Sequence, residues 1–140
     1  MSMMEMFLAL MAIMLFTTLS LTYNQAIWRQ TDYINNATMV VQASQICHSI
    51  LDEADAKLFS NQIEFTDIVD TYNFTDTQSY PHLPVTFTVS CVATDCDSLG
   101  QDLETPNPNS LFKRIEVSVS GPTALRYPYK MKRLYTKTFM

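Results

Sequence analysis

The run MSMMEMFLALMAIMLFTTLSL, residues 1–21, constrains this chain more than any other stretch. It carries one charge, Glu5, and no basic residue. At ~1.5 Å per residue, a helix of this length spans roughly 31 Å, about one hydrocarbon thickness. Such a helix is apolar all round and needs lipid or sister helices about it rather than water. Six of the nine methionines fall within the first fourteen residues. Their flexible thioethers suit an adaptable packing surface better than a copper site.

The flanks of this run are unusual. A secretory signal peptide opens with Lys or Arg and then gives a shorter apolar stretch, and a signal anchor carries positive charge on its cytoplasmic side. Here the first base is Arg29. The missing charge predicts that a basic leader has been removed and that Met1 is a processed N-terminus. The α-amino group of Met1 and the carboxylate of Glu5 are then one helical turn apart. They pair within a chain or, when subunits stack with an axial stagger, between neighbours. An unpaired carboxylate in apolar surroundings is costly, so the pairing selects a register. The competing reading leaves Glu5 at the membrane interface, where a charge near a helix end costs little.

Beyond Leu21, apolar residues continue at helical spacing through Tyr23, Ile27, Ile34, Val41, Cys47, Ile50, Leu51, Ala54 and Leu58, with polar residues between them. This predicts an amphipathic helix whose second half lies on a sheet. Uninterrupted from about residue 2 to 59, it would be roughly 87 Å long, too long to bury within one small domain. All six prolines fall at or after Pro81, and the only glycines are Gly100 and Gly121, so the first eighty residues hold no strong helix breaker. The segment 60–84 is acidic, aromatic and irregular, and reads as a connection. VTFTVSCVA (85–93) then alternates, and FKRIEVSVS (112–120) repeats the pattern with a break near Lys113–Arg114. YKMKRLYTKTF (129–139) closes with a third strand, its bases facing solvent. The expected fold is α+β: a long N-terminal helix packed against a three-stranded antiparallel sheet. The expected domains are a hydrophobic helix at 1–28 and a head at 29–140, divided into helix 29–59, connection 60–84 and sheet 85–140.

An apolar N-terminus, a glutamate at position five, a long continuing helix and a small antiparallel sheet resemble the type IV pilin and pseudopilin family. Met1, Glu5 and the apolar run to Leu21 carry the specific part of the likeness. The resemblance implies a prepilin peptidase that cleaves a leader and methylates Met1, an inner-membrane assembly machinery, and helices that bundle as a filament core. The implied partners are copies of the same chain, with the membrane as host before assembly and an extracellular filament at the cell surface after it. Two departures stand out. The family usually begins with an aromatic residue where this chain has Met1, and many members carry glycine and proline where it has Met14 and Thr22. Helix melting is therefore expected to be smaller, or to fall near Thr17–Thr18.

Charge is unevenly spread. Residues 1–112 carry a balance of −11 and residues 113–140 one of +6, which together give the net −5. The acidic whole argues against general nucleic-acid binding. The basic final strand, with Lys130, Lys132 and Arg133, is expected to face Asp52, Asp55, Asp67 and Asp70 of a neighbouring subunit, since complementary patches specify partners. Two other readings are DNA binding at a filament tip and a solvated strand whose lysines block stray edge pairing.

Three cysteines, Cys47, Cys91 and Cys96, have no metal-type spacing. In an exported protein a disulfide is expected. Cys91–Cys96 as a loop staple is preferred over Cys47–Cys91, leaving Cys47 as a buried thiol. Asp95, Asp97 and Gly100 occupy EF-hand positions one, three and six, but Leu99 and Pro106 fail positions five and twelve. No metal site is expected, and calcium in the Asp95–Asp97–Asp102 loop is a secondary reading. Asn36 and Asn73 stand in N-x-[ST] triplets as candidate glycan acceptors. His48 and His82 have no nucleophile at a recognisable spacing, and there is no Gly-rich phosphate loop or HExxH, so the chain is expected not to be an enzyme.

Overall fold

In the computed structural model, residues 2–79, 85–103, 105, 107 and 109–137 are described. Helix α1 runs Met3–Phe59 without interruption, as the absence of proline and glycine before residue 81 allows. It is followed by a 3-10 turn at Phe65–Asp67, a single-turn helix α2 at Ile68–Thr71, and strands β1 (Phe74–Ser79), β2 (Thr86–Cys96), β3 (Phe112–Ser120) and β4 (Tyr129–Thr136). The chain divides into two compact units, Met1–Ala37 and Thr38–Met140.

The fold is α+β, but its sheet has four strands rather than three, in the order β1-β2-β3-β4 and antiparallel throughout. The additional strand, β1, lies inside the segment read as an irregular connection. The cause is visible in its burial: five of its six residues are exposed and the sixth is half-buried. A strand with neither face covered leaves no two-residue hydrophobic period to detect. It is held by its pairing with β2, from Phe74 opposite Cys91 to Ser79 opposite Thr86.

In the second unit, Ala43, Ile46, Cys47, Ile50, Leu51 and Ala54 of α1 are buried at the spacing that makes one helical stripe. They share a core with Phe87, Val89, Cys91 and Ala93 of β2 and with Ile115, Val117 and Val119 of β3. Ile68, Tyr72 and Leu125 close its ends. Small side chains on the stripe let helix and sheet approach closely, and the Cys47 Sγ lies 3.9 Å from the carbonyl oxygen of Val117. Gly121 is another close approach, since a Cβ there would lie 2.8 Å from the Phe87 ring.

β3 has no break in its alternation. Lys113, Ile115, Val117 and Val119 all point to the core, and Phe112 and Arg114 point away. Lys113 is the residue that disguised the pattern, because it is a base in a buried position.

Candidate assembly surface

Every described residue from Ser2 to Asn35 is exposed. Met3, Phe7, Leu8, Ile13, Phe16 and Leu19 are among the large apolar side chains presented there. The helix start explains part of this segment locally. The Ser2 amide donates to Glu5 Oε2 at 3.0 Å, and the Glu5 amide donates to Ser2 Oγ at 3.3 Å. That is a capping box, in which two of the four unsatisfied amides at a helix N-terminus are paired reciprocally. Its S-x-x-E signature is SMME, residues 2–5. Met1 lies outside the described residues, so both its assembly role and its processing do too.

Three threonine hydroxyls of the same segment are satisfied within the helix. Thr17 donates to the Ile13 carbonyl at 2.7 Å, Thr22 to that of Thr18 at 2.7 Å, and Thr18 to that of Met14. A threonine bonded this way presents its methyl outward and exposes no unpaired donor. The helix is continuous through Thr17–Thr18.

The charged residues expected at subunit contacts divide into two groups. Arg133 turns toward the helix rather than to solvent, and its Nη1 lies 3.1 Å from Asp52 Oδ1 and 2.5 Å from Asp55 Oδ2 of the same chain. The alternation of β4 is the reason: Tyr129, Met131, Arg133 and Tyr135 are half-buried, whereas Lys130 and Lys132 are exposed. Lys130 and Lys132 lie 3.5 and 3.0 Å from the two carboxylate oxygens of Glu116, which stands opposite Lys132 on β3. Asp67 and Asp70 are exposed beside and on α2, with no ion pair among the described residues. The structure thus pairs Arg133, Asp52 and Asp55 internally and leaves Asp67 and Asp70 outward.

All three cysteines are free and buried. The preferred Cys91–Cys96 staple is incompatible with β2, which continues through Cys96 instead of ending at Ala93. Five residues of strand separate the two by roughly 16 Å, whereas bridged Cα atoms lie about 4.4–6.8 Å apart. Burial pushes the thiols of Cys47 and Cys91 up to about 11, so both are protonated and unreactive at neutral pH.

The three carboxylates of the calcium reading do not converge. Asp95 points to the core and lies 2.9 Å from Lys113 Nζ. Asp102 is on the other face, accepting from the Thr94 hydroxyl at 2.7 Å and lying 2.7 Å from Arg114 Nη2. Asp97 closes its own turn by accepting from the amides of Leu99 and Gln101. Among the described residues no group of three His, Cys, Asp or Glu side chains is placed to hold a metal.

Asn73 has a structural use. Its Nδ2 donates to the carbonyls of Val69 and Ala93, and its Oδ1 accepts from the Ala93 amide. The side-chain amide extends the β1–β2 ladder by one position, and a glycan on Nδ2 would break it. Asn36 lies within α1 and is half-buried. His48 is exposed on α1, and His82 lies outside the described residues.

The feature that sequence reasoning missed is Lys113. It is 0% exposed and donates to Asp95 Oδ1 at 2.9 Å and to the Thr66 carbonyl at 3.2 Å, with its ammonium 5.8 Å from the Phe65 ring centre. The pair lies cross-strand, Asp95 opposite Lys113, and ties the sheet to the 3-10 turn. Nearby, an open groove of about 630 Å³ is lined by Asp55, Leu58, Ile63, Phe65 and Tyr135, among others. Tyr135 donates to the Leu51 carbonyl.

The fold and surface define a class: an α+β head whose helix begins as an exposed apolar segment long enough to cross a membrane. Comparison of the chain with protein-family models, curated proteins and solved structures finds no match.

Proposed function

We propose that the chain is a structural subunit of a type IV pilus-like extracellular filament, held in the inner membrane before assembly and polymerising through its apolar N-terminal helix. One observation carries this reading: the exposed apolar surface from Met3 to Leu21. Exposed apolar area on this scale marks an interaction or membrane site. Bundling with sister helices buries it, and Glu5 sets the register by meeting a neighbour's N-terminus. The chemistry is assembly rather than catalysis. A minor pilin or pseudopilin of a secretion system would use the same surface within a filament made mainly of another protein.

The Ser2–Glu5 capping box favours a second reading, a monomeric membrane-anchored binding domain in which Glu5 serves only its own helix. Two variants separate the readings, because Ser2→Ala removes half of the box and keeps the carboxylate. The assay is filament recovery in a sheared surface fraction, with membrane-retained protein as the complement. A register role predicts that Glu5→Ala stops polymerisation and accumulates in the membrane while Ser2→Ala polymerises. Equal, small effects of the two changes would reduce Glu5 to a cap and leave the anchored domain as the function.

A further inference from the structure

Beyond Leu21 the exposed helix changes character without losing its apolar bulk. Tyr23 is 68% exposed and Trp28 70%, and Arg29 stands next to Trp28. Rings with one apolar body and one polar tip concentrate where hydrocarbon gives way to headgroups. Distance along the helix tests whether these residues reach that boundary. If the Glu5 carboxylate marks one face of the hydrocarbon, ~30 Å at ~1.5 Å per residue ends at about residue 25. That point falls between Tyr23 and Trp28, in a stretch that also holds the polar Asn24 and Gln25. Tyr33 lies about 12 Å further along the helix, beyond the headgroup layer.

Three threonines of the intervening segment suit lipid in their hydrogen bonding, as the segment does in its composition. Between Glu5 and Arg29 there is no charged residue, and the hydroxyls of Thr17, Thr18 and Thr22 are bonded to carbonyls one turn back. Unsatisfied polar groups are what a bilayer excludes most strongly. The capping box removes two more such donors at the other boundary. Two ends that suit an interface, separated by the thickness of the hydrocarbon, identify the occupant as a lipid bilayer rather than a soluble groove.

We propose that Tyr23 and Trp28, with Arg29 directed to lipid phosphate, form a headgroup-anchoring band that fixes the depth at which the helix sits in a phospholipid bilayer. This rests on the membrane stage of the proposed function and adds the residues that read the lipid surface. The band holds the helix in one axial position, so that Glu5 stays at the opposite boundary.

Trp28 is the chain's single tryptophan, so the native protein carries its own depth gauge. The full chain is reconstituted into phosphatidylcholine vesicles containing lipids brominated either close to the headgroup or close to the end of the acyl chain. The expected result is a blue-shifted Trp28 emission, quenched severalfold more by the shallow bromine than by the deep one. A second protein, Trp28→Phe with Tyr33→Trp, moves the reporter beyond the boundary and should be quenched by aqueous acrylamide and by neither lipid. Stronger quenching of Trp28 by the deep bromine overturns the proposal. So does vesicle-bound protein whose Trp28 no lipid quenches. Filament recovery is a separate readout: loss of polymerisation with Trp28 still at the headgroups would sink the filament reading and leave the band standing.

Discussion

The two ends of α1 belong to one helix but are built for different surroundings. In the first unit no described side chain up to Asn35 is buried, and apolar residues occupy every side of the helix between Met6 and Leu21. In the second, Ala43, Ile46, Cys47, Ile50, Leu51 and Ala54 form one buried stripe, with polar residues such as Asp52 and Glu53 outside it. A stripe means that the sheet is the partner. An apolar surface all round suits a helix enclosed by lipid or by other helices. Polar chemistry follows the same division in reverse. The exposed half carries no charge between Glu5 and Arg29, whereas the head buries a lysine.

That buried lysine offers the largest way to break the contrast. Lys113→Ala leaves Asp95 buried without its partner, and breaking a buried pair from one side costs about 3–5 kcal/mol. Replacing both residues with apolar side chains, Lys113→Met with Asp95→Leu, should restore most of the loss, since no charge is then left unpaired. Chemical denaturation of the full chain in detergent, followed by near-ultraviolet signals of the head, measures both. A Lys113→Ala variant as stable as the parent would mean that the pair is not shielded from water.

The same substitution made in the two halves sharpens the comparison further. Leu51 is fully buried, and Leu51→Ala should cost the head about 2–5 kcal/mol through lost transfer energy and a residual cavity. Leu15 is exposed, and Leu15→Ala should leave head stability within about 0.5 kcal/mol. Its effect belongs instead in vesicle partitioning or filament recovery. Equal losses of head stability would mean that the apolar half supports the head directly, and the division of labour would fail.

How much of this was legible follows from the same physics. The helix was readable because no proline or glycine interrupts the first eighty residues, and strands β2, β3 and β4 because most of each alternates. Strand β1 was not, because FTDTQS buries no face and its order comes from pairing with β2. The Cys91–Cys96 pairing failed for a related reason: Thr94 and Asp95 do not look like strand residues, yet their partners Arg114 and Lys113 hold β2 in register to Cys96. Lys113 was misread as a break in alternation because residue type was taken as a proxy for burial. Only the position of Asp95 across the ladder reveals that a lysine there is compensated. The capping box could have been found from SMME alone, since both members lie within one turn.

The smallest expected effect concerns pH, and it too should separate the two halves. The hydrogen bond from Lys132, reinforced by Lys130, holds the Glu116 carboxyl below the usual carboxylate range. The Thr94 hydroxyl and then Arg114 do the same for Asp102. In the unfolded chain both titrate at about 4. A carboxyl that gives up its proton more readily when folded stabilises the fold fully above its unfolded value, and that contribution disappears as pH falls through the folded value. The head should therefore lose stability below about pH 4, although each exposed pair contributes no more than ~1 kcal/mol. The capped, largely uncharged helix should keep its helicity in micelles over the same range. Glu116→Gln and Lys132→Ala should each flatten the acid limb of the head's unfolding curve. An acid limb unchanged in both variants would assign the sensitivity to other carboxylates and remove Glu116 from the account.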